Sequence, residues 1–404
     1  MKEEIKVHDI YYWILSIIII FYSGSAVSVI SSTYRNGIVF VAVFFLVLRL
    51  IERRFTVSKS LRTMFLLYFS FMIMITAVST AFSTFYLRLF ATVYIAYEIS
   101  ERIDCEKFIA FYGRLMSYIT VVALAGYFLV NGLGLVSEFP RFVNFNGEAY
   151  RGIIFFNFIE RLPERNCALF WEPGLFATAL TFALIFELIY QEKKSFFRII
   201  LFLIGILTAN STAGYVMLLL LFVLFSTKFQ PKQKSVRILL SVVQILIVIA
   251  AIVVFLNLDK ILIASGLYKN TMFAKLISNT FLESQRGQAI QDSFASFMQS
   301  PLFGSGAEQI IQGMNYVADT ATSVYALSIF GFLGVGYSVF YFTGVLKQKN
   351  LSLIVRIVFL VILLGILNKE PHLDLLFTWI LGFFLLKKAQ VDDKKSFIAK
   401  KAIN

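Results

Sequence analysis

Charged side chains are scarce in this sequence, and their scarcity argues against a soluble protein. Only 15% of the 404 residues are charged, whereas 59% are hydrophobic and the mean hydropathy is +0.79. A soluble chain of this length has no core large enough to bury so much apolar surface, so lipid must act as its solvent. The sequence therefore predicts an integral membrane protein.

Cysteine and histidine are equally scarce, with two residues of each. Cys105 and Cys167 fall on opposite sides of the membrane in the topology given below, so we expect no disulfide between them. The low histidine count argues against a histidine-based metal site. A glycine-rich phosphate loop and an Asp-X-Asp pair are also missing, which argues against a nucleotide-sugar enzyme with a metal-held diphosphate. We therefore predict no metal and no cofactor.

The net charge of +13 does not indicate a nucleic-acid partner. Lys and Arg lie mostly in short segments between apolar runs, where they determine the orientation of membrane spans. No basic stripe and no nucleic-acid-binding motif accompanies them.

The apolar runs predict the fold class, which is all-α: a polytopic membrane helical bundle with about 12 transmembrane helices. A span needs about 20 helical residues, and fewer inside a bundle. An open strand would leave backbone groups unsatisfied in lipid. No small-residue cleavage site follows the first run, which we interpret as a retained span of a single integral membrane domain, residues 1–404. The runs are 10–30, 37–52, 64–82, 84–98, 108–130, 172–190, 196–211, 213–226, 238–257, 323–345, 351–367 and 373–386.

The distribution of basic residues predicts that the N- and C-termini are both cytoplasmic. In this orientation the short outer loops contain only Arg35 and Lys369 as bases, as the positive-inside rule requires. Two outer loops, 131–171 and 258–322, are long, and loops of this length are usually functional or disordered. Their many aromatic residues favour loops that fold against the membrane surface.

The first long outer loop ends in a candidate site, which runs from Glu164 to Gly174. Glu172 precedes Pro173, which suits the first position of a helix, so the acid can be interpreted as a helix cap. A cap alone does not explain the adjacent Arg165 and Trp171. We therefore consider Glu172 a candidate general base, with Arg165 and Trp171 as candidate substrate-binding residues.

The second long loop contains a predicted helix that ends before Pro301. Ile290, Phe294, Phe297 and Met298 share one face of this helix, which we expect to lie on the bundle or at the membrane interface. Arg286 falls at the helix start, where free N–H groups favour an anion, and so predicts a phosphate site. The alternative is a solvated arginine on a surface helix.

Further candidate residues lie at the outer ends of spans and in the first long loop. Arg88 lies inside the fourth span, where it must face a cavity, pair with another group or reach outward to water. Arg151 and Arg161 are outward-facing candidate substrate-binding residues. His372 is a second candidate catalytic base or a donor to phosphate, and the alternative is an ordinary interfacial histidine.

The stretch from Arg165 to Gly174 resembles the Arg…Phe-X-Glu-Pro-Gly signature of bacterial O-antigen and capsular repeat-unit polymerases, which are related to O-antigen ligases. Similar features are the Asn210-Ser-Thr-Ala-Gly214 turn, the Pro301-Leu-Phe-Gly-Ser-Gly306 run after Arg286, and the Phe330-Gly-Phe-Leu-Gly334 run. Two features differ from the family. An Arg and a Gly fifteen residues apart do not occur from Arg151, Arg161 or Arg286. Residues 321–323 are Ala-Thr-Ser where the ligases carry a His-Asn pair, which favours a polymerase.

The resemblance implies a metal-independent membrane glycosyltransferase of the bacterial inner membrane. It would transfer a growing glycan from undecaprenyl diphosphate to a lipid-linked repeat unit at the outer face. Its expected partners are undecaprenyl-diphosphate-linked oligosaccharide, membrane lipid, a chain-length regulator and a flippase. The alternatives are a flippase or transporter for the same lipid-linked sugars, and an O-antigen ligase.

Overall fold

The computed structural model describes residues 7–52, 59–79, 82–145, 147–153, 155–191, 193–226, 285–313, 321–368 and 371–388, with single positions between 235 and 246. The predicted span 238–257 and the first part of the second long loop, 258–284, lie outside the described residues. The chain divides into two compact units. Unit 1 comprises residues 1–74, 83–214 and 372–394, and unit 2 comprises 75–82, 215–371 and 395–404.

Unit 1 is built from helices and one small antiparallel sheet. Its early helices are α1 (Val7–Phe21), a 3₁₀ turn (Ala26–Val29), α2 (Ser32–Asn36), α3 (Ile38–Glu52), α4 (Lys59–Ser79), α5 (Thr84–Arg102) and α6 (Cys105–Asn131). The strands are β1 (Arg141–Val143), β2 (Ala149–Ile153) and β3 (Phe156–Ile159). Then follow α7 (Pro173–Ile185), a π-helical turn (Phe186–Tyr190) and α8 (Phe196–Ala209). The last helix of the unit covers 376–388.

Helix α7 forms the centre of unit 1. All of its residues are buried, and they are apolar, small or threonine. A helix that is apolar all round belongs inside a bundle. Gly205 of α8 faces Leu180 of α7, and a Cβ at this position would lie 2.6 Å from the Leu180 Cδ1 atom. This glycine lets the two helices approach closely, as small residues do in membrane bundles.

Unit 2 contains the rest of α9 (Thr212–Ser226) beyond Gly214, followed by α10 (Gln285–Gln299), α11 (Ala307–Gly313), α12 (Thr322–Phe330), a 3₁₀ turn (Gly331–Gly334), α13 (Val335–Leu346) and α14 (Leu353–Leu367). Gly331 has φ +60°, which breaks the predicted span 323–345 into α12 and α13. The Pro301 carbonyl accepts a hydrogen bond from the Phe332 N–H at 2.8 Å, so two of the motifs that resemble the polymerases pack against each other.

The structure confirms an all-α, multi-pass membrane protein. Eleven of the twelve predicted spans have a helical counterpart in the described residues, and the twelfth is 238–257. Among the residues that the structure describes, four helical segments are long and apolar enough to span a bilayer by themselves: Ser32–Glu52, Cys105–Asn131, Pro173–Tyr190 and Thr322–Leu346. The small sheet in the first long loop was not predicted.

The predicted apolar face of α10 is partly buried. The helix ends at Gln299, before Pro301, as expected. Of the predicted face, Phe297 is buried, 5.4 Å from the ring of Phe332, whereas Phe294 and Met298 are exposed. Small residues such as Ala289 and Ser293 complete the buried face. That the apolar face lies on the bundle or at the membrane interface stays a prediction.

Candidate functional site

The first long loop is folded onto one end of unit 1, which we call the sheet end. Its three strands pair in the order β1-β2-β3, with Arg141 opposite Arg151 and Ile153 opposite Phe156. Phe142 stacks on Tyr150 with ring centroids 5.3 Å apart. Such cross-strand aromatic pairs stabilise a small sheet. The loop is therefore an ordered platform, as its aromatic content predicted.

The segment from Arg165 to Glu172 is held in place by backbone hydrogen bonds and by Asn166. The Asn166 amide is fully buried and donates to the Ala123 carbonyl of α6 at 3.3 Å and to the Thr208 hydroxyl of α8 at 3.1 Å. Its Oδ1 accepts from the Ala168 N–H at 2.9 Å. Ala168 is one of two non-glycine residues with positive φ among those described, at +51°. This local geometry turns the chain so that Trp171 and Glu172 lead directly into α7.

Glu172 is the N-cap residue of α7, and Pro173 follows at the first helical position, as predicted. The Glu172 carboxylate makes no capping hydrogen bond, so capping does not account for the acid. The negative charge of Glu172 instead affects the pKa values of residues in and near the sheet. Burial raises the pKa of the Tyr150 phenol, and the nearby Glu172 carboxylate raises it further. Glu172 also contributes to the raised pKa of Arg161, of which the main cause is a hydrogen bond to Glu148.

Most arginines at the sheet end are ion-paired. Arg141 and Arg151 both donate to the Glu160 carboxylate at 2.8 Å, and these hydrogen bonds lower the pKa of Glu160. Arg161 forms a two-pronged contact with Glu148, at 2.8 and 3.1 Å. The structure thus places Arg151 and Arg161 in the framework of the sheet, and their substrate-binding role remains a prediction.

Arg165 differs from these arginines. Its side chain is half-buried, and its Nε atom is buried without a hydrogen-bond partner among the described residues. It forms no ion pair with any acid in the described part of the chain, whereas Arg141, Arg151 and Arg161 each do. A guanidinium held in this way is suited to bind an anion that the chain itself does not supply.

Near Trp171, an arginine pair surrounds a buried acid. Arg35 Nη2 lies 2.8 Å and Arg88 Nε lies 3.1 Å from the same Oδ2 atom of Asp374. Arg88 Nη1 also donates to Asn36 Oδ1 at 3.1 Å. The Arg35 guanidinium lies 6.0 Å from the ring centroid of Trp171, which is within cation–π distance. Two cations and one anion leave a net positive charge at this position.

This cluster lines a small cavity of about 270 Å³. The lining includes the three charged residues, Trp171, Tyr22, and the backbone at Gly24 and Ser28. Of the three possibilities for Arg88, two are therefore observed together: it is paired and it faces a cavity. The space in it that a water-sized molecule can occupy is about 10 Å³, which suits a single small polar group.

His372 is buried within unit 1. Its Nδ1 atom is 3.2 Å from the Thr378 hydroxyl. It lines a second, mainly apolar cavity of about 440 Å³, which shares Leu375 with the first one. Its role as a second base remains a prediction.

Sequence reasoning missed Arg35 and Asp374. Arg35 was noted only as one of two bases in the short outer loops, and Asp374 was not considered. Arg88 and Asp374 are 286 positions apart, so the chain order does not reveal their contact. The signal that was present is physical: a charge inside a span requires a partner, and Asp374 is an acid inside the last apolar run.

Arg286 belongs to unit 2. It is the second residue of α10, so the prediction that it lies at a helix start is confirmed. Its side chain lies outside the described residues. The turn after this helix is ordered, with the Ser305 N–H donating to the Ser328 carbonyl at 2.8 Å and the Ser296 and Ser305 hydroxyls 2.8 Å apart.

Comparison with known proteins supports the resemblance that the motifs indicated. Residues 197–327 match the family model described as O-antigen ligase. This match covers about a third of the chain, from α8 to α12, and includes Arg286. The chain is thus similar to the O-antigen ligase and polymerase type of membrane enzyme. Arg165, Glu172 and Asp374 lie outside the matched segment. No curated protein and no solved structure matches the chain.

Proposed function

We propose that this protein is an O-antigen or capsular polysaccharide polymerase of the bacterial inner membrane. In the proposed reaction, the hydroxyl oxygen of a lipid-linked repeat unit attacks the anomeric carbon of the growing glycan. The new glycosidic bond forms as the bond to undecaprenyl diphosphate breaks, and the diphosphate leaves. Glu172 takes the proton of the attacking hydroxyl. No metal is required, because arginines stabilise the charge that develops on the leaving group.

The state of Arg165 is the observation that supports this proposal most directly. The other described arginines of the first long loop have their charge compensated by Glu148 or Glu160. Arg165 has no such partner in the described part of the chain. It lies seven residues before Glu172, whose carboxylate makes no capping hydrogen bond. An arginine and a carboxylate in one rigid segment meet the two needs of the reaction, an anion site and a base.

Arg286 and the Arg35–Arg88 pair are further candidate binding residues. Arg286, at the start of α10 in unit 2, is a candidate anion-binding residue by itself, because free N–H groups at a helix start favour a phosphate. Arg88 and Trp171 line the polar cavity, where a sugar hydroxyl or a phosphate oxygen would find donors. A chain-length regulator and a flippase would act with the enzyme in the same pathway.

An O-antigen ligase is the second candidate, because the matching family model carries that description. The polymerase is favoured because residues 321–323 are Ala-Thr-Ser where the ligases carry a His-Asn pair. Thr322 is fully buried at the start of α12. A flippase would need no base and no external anion site at the entrance of α7.

An assay with purified protein in liposomes would test the proposal. With lipid-linked repeat units alone, a polymerase extends them to a ladder of longer lipid-linked chains. A ligase needs lipid A core as acceptor, and a flippase only moves the substrate across the bilayer.

Two variants assign the site in the same assay. Arg165→Lys keeps the charge but loses the planar fork of donors, and we expect a loss of rate of roughly 10²- to 10³-fold. Glu172→Gln should abolish the reaction at normal membrane levels. Arg141→Lys is the matched control, because Arg141 is already paired within the sheet. A normal ladder from Arg165→Lys and Glu172→Gln would contradict the assignment.

A further inference from the structure

The hairpin formed by β2 and β3 has an apolar tip that packs on little of the protein. Ile153 is 52% exposed and Phe155 is 63% exposed. The sequence contains no charged residue between Arg151 and Glu160. Two large exposed apolar side chains at one hairpin turn require a partner that tolerates apolar surface.

The contact between the hairpin and α6 shows how far the tip reaches along that helix. Phe156, which follows the tip, packs directly on Gly126, where a Cβ would overlap the phenylalanine ring. Gly126 lies five residues before Asn131, the last residue of α6. At 1.5 Å per residue, the tip therefore lies about 8 Å along α6 from its end, toward the middle of the span.

This part of α6 is a membrane span. The helix is long and apolar enough to cross a bilayer, and residues 115–130 carry no charged side chain. Val122 and Leu129 lie four residues before and three residues after Gly126, so they share its side of the helix, and both are exposed and apolar. The exposed tip therefore continues a surface that already faces lipid.

The charged residues of the hairpin lie away from its apolar tip. The ion pair of Arg161 with Glu148 lies at the base of the hairpin, and Arg151, which pairs with Glu160, lies in the middle of β2. Ile153 and Phe155 lie at the opposite end, about 13 Å from Ala149 at the start of β2. An element with an apolar end and a charged end suits the boundary between acyl chains and headgroups.

We propose that the hairpin tip, Ile153 and Phe155, inserts into the outer boundary of the acyl chains and anchors the sheet to the bilayer. The anchor fixes the height of the charged base, so that Arg151 and Arg161 lie at the level of the lipid headgroups. The proposal does not depend on the polymerase activity.

Site-directed spin labelling measures this insertion directly. Cys105→Ser removes the accessible native thiol, and the remaining Cys167 is fully buried. A nitroxide is then attached to Ile153→Cys or Phe155→Cys in liposomes of phosphatidylethanolamine and phosphatidylglycerol. We expect the ratio of collisions with oxygen to collisions with a water-soluble nickel chelate to be several-fold higher at these positions than at Val143→Cys. Val143 is exposed at the other end of the sheet, opposite Ala149.

Equal ratios at positions 155 and 143 would overturn the proposal, because the tip would then lie in water or against another protein. Both labelled positions are exposed, so the substitutions leave the packing of the hairpin intact. Gly126→Leu provides a second test, since a side chain there must displace Phe156. The ratio at position 155 should fall toward that at position 143, which itself should not change. An unchanged ratio at position 155 would show that the contact with α6 does not hold the tip in the bilayer.

Discussion

Buried carboxylates in unit 1 are matched by arginines, residue by residue. Glu98 is fully buried between Arg49, at 3.3 Å, and Arg102, at 3.2 Å. Asp374 is paired with Arg35 and Arg88 in the same way at the sheet end. An isolated charge in such a position would be strongly unfavourable, so paired charges are the expected state. Arg165 departs from this pattern, because it has no acid partner among the described residues, and this supports its proposed role in binding an anion.

Replacing Asp374 should destabilise the protein. Asp374→Asn removes the only negative charge of the cluster and leaves two arginines close together in a buried position. Breaking a buried ion pair typically costs about 3–5 kcal/mol. We expect a clearly lower unfolding temperature in detergent, measured by loss of the monodisperse peak after heating.

The matched control for this substitution is Asp104→Asn. Asp104 pairs with Lys107 at 3.7 Å, both side chains are exposed, and the aspartate makes no capping hydrogen bond. Exposed pairs contribute about 0–1 kcal/mol, so this variant should unfold as the parent does. Equal unfolding temperatures for the Asp374 and Asp104 variants would show that the arginine cluster is not a structural charge network.

At the level of secondary-structure elements, the helices were predictable and the sheet was not. The apolar runs delimit helices because lipid leaves no other state for the backbone. In the first long loop, strands of three to five residues depend on partners such as Phe142 and Tyr150 that only the folded chain brings together. Pro173 made it possible to predict that Glu172 lies at the start of α7. The sequence could not show that the Glu172 side chain makes no capping hydrogen bond. The periodicity of α10 predicted its apolar face, but it could not show that only Phe297 of that face is buried, together with small residues such as Ala289 and Ser293.

The buried amide of Asn166 should control the accessibility of Cys167. The predicted topology places Cys167 on the outer side, so that an impermeant thiol reagent would reach it rather than Cys105, if it reaches either. The residue is fully buried beside Tyr150 and Ile159. We therefore expect no labelling of the native protein. Asn166→Ala removes the bonds to α6 and α8 and leaves the Ala168 N–H without its acceptor, at a cost of about 1–3 kcal/mol. The segment should loosen, and Cys167 should then be labelled from outside.

Asn131→Ala is the control for that experiment. Asn131 also joins α6 to the loop, through a 3.0 Å hydrogen bond to the Pro163 carbonyl, but it is exposed to solvent. Water replaces its hydrogen bond, so Cys167 should stay protected. Labelling of Cys167 in the parent protein, or its protection in Asn166→Ala, would contradict the rigid segment on which the proposed site depends.

For the whole molecule, the two ends of unit 1 reproduce the sides that the charge distribution predicted. The predicted cytoplasmic residues Arg102 and Lys387 lie together, because the Lys387 amine donates to the Ser100 carbonyl at the end of α5. Lys388 also pairs with Glu106 at the start of α6. The predicted outer residues Arg35 and Arg88 lie with the sheet at the opposite end. The residues predicted for one side of the membrane therefore lie at the same end of unit 1. Which end faces the cytoplasm stays a prediction of the positive-inside rule.

Reporter fusions would establish the orientation of the molecule. We expect fusions after Lys194 and Lys388 to report a cytoplasmic position, because both follow helices that run from the sheet end to the basic end of unit 1. A fusion inserted next to Glu148, between β1 and β2, should report an external position. The physical reason is that short basic segments stay on the cytoplasmic side, whereas the long loop carries paired charges that can cross the membrane. An external reading at Lys388 with a cytoplasmic one at Lys194 would mean an odd number of spans between them. The error would then lie in one of the two weakest predicted spans, 213–226 or 373–386.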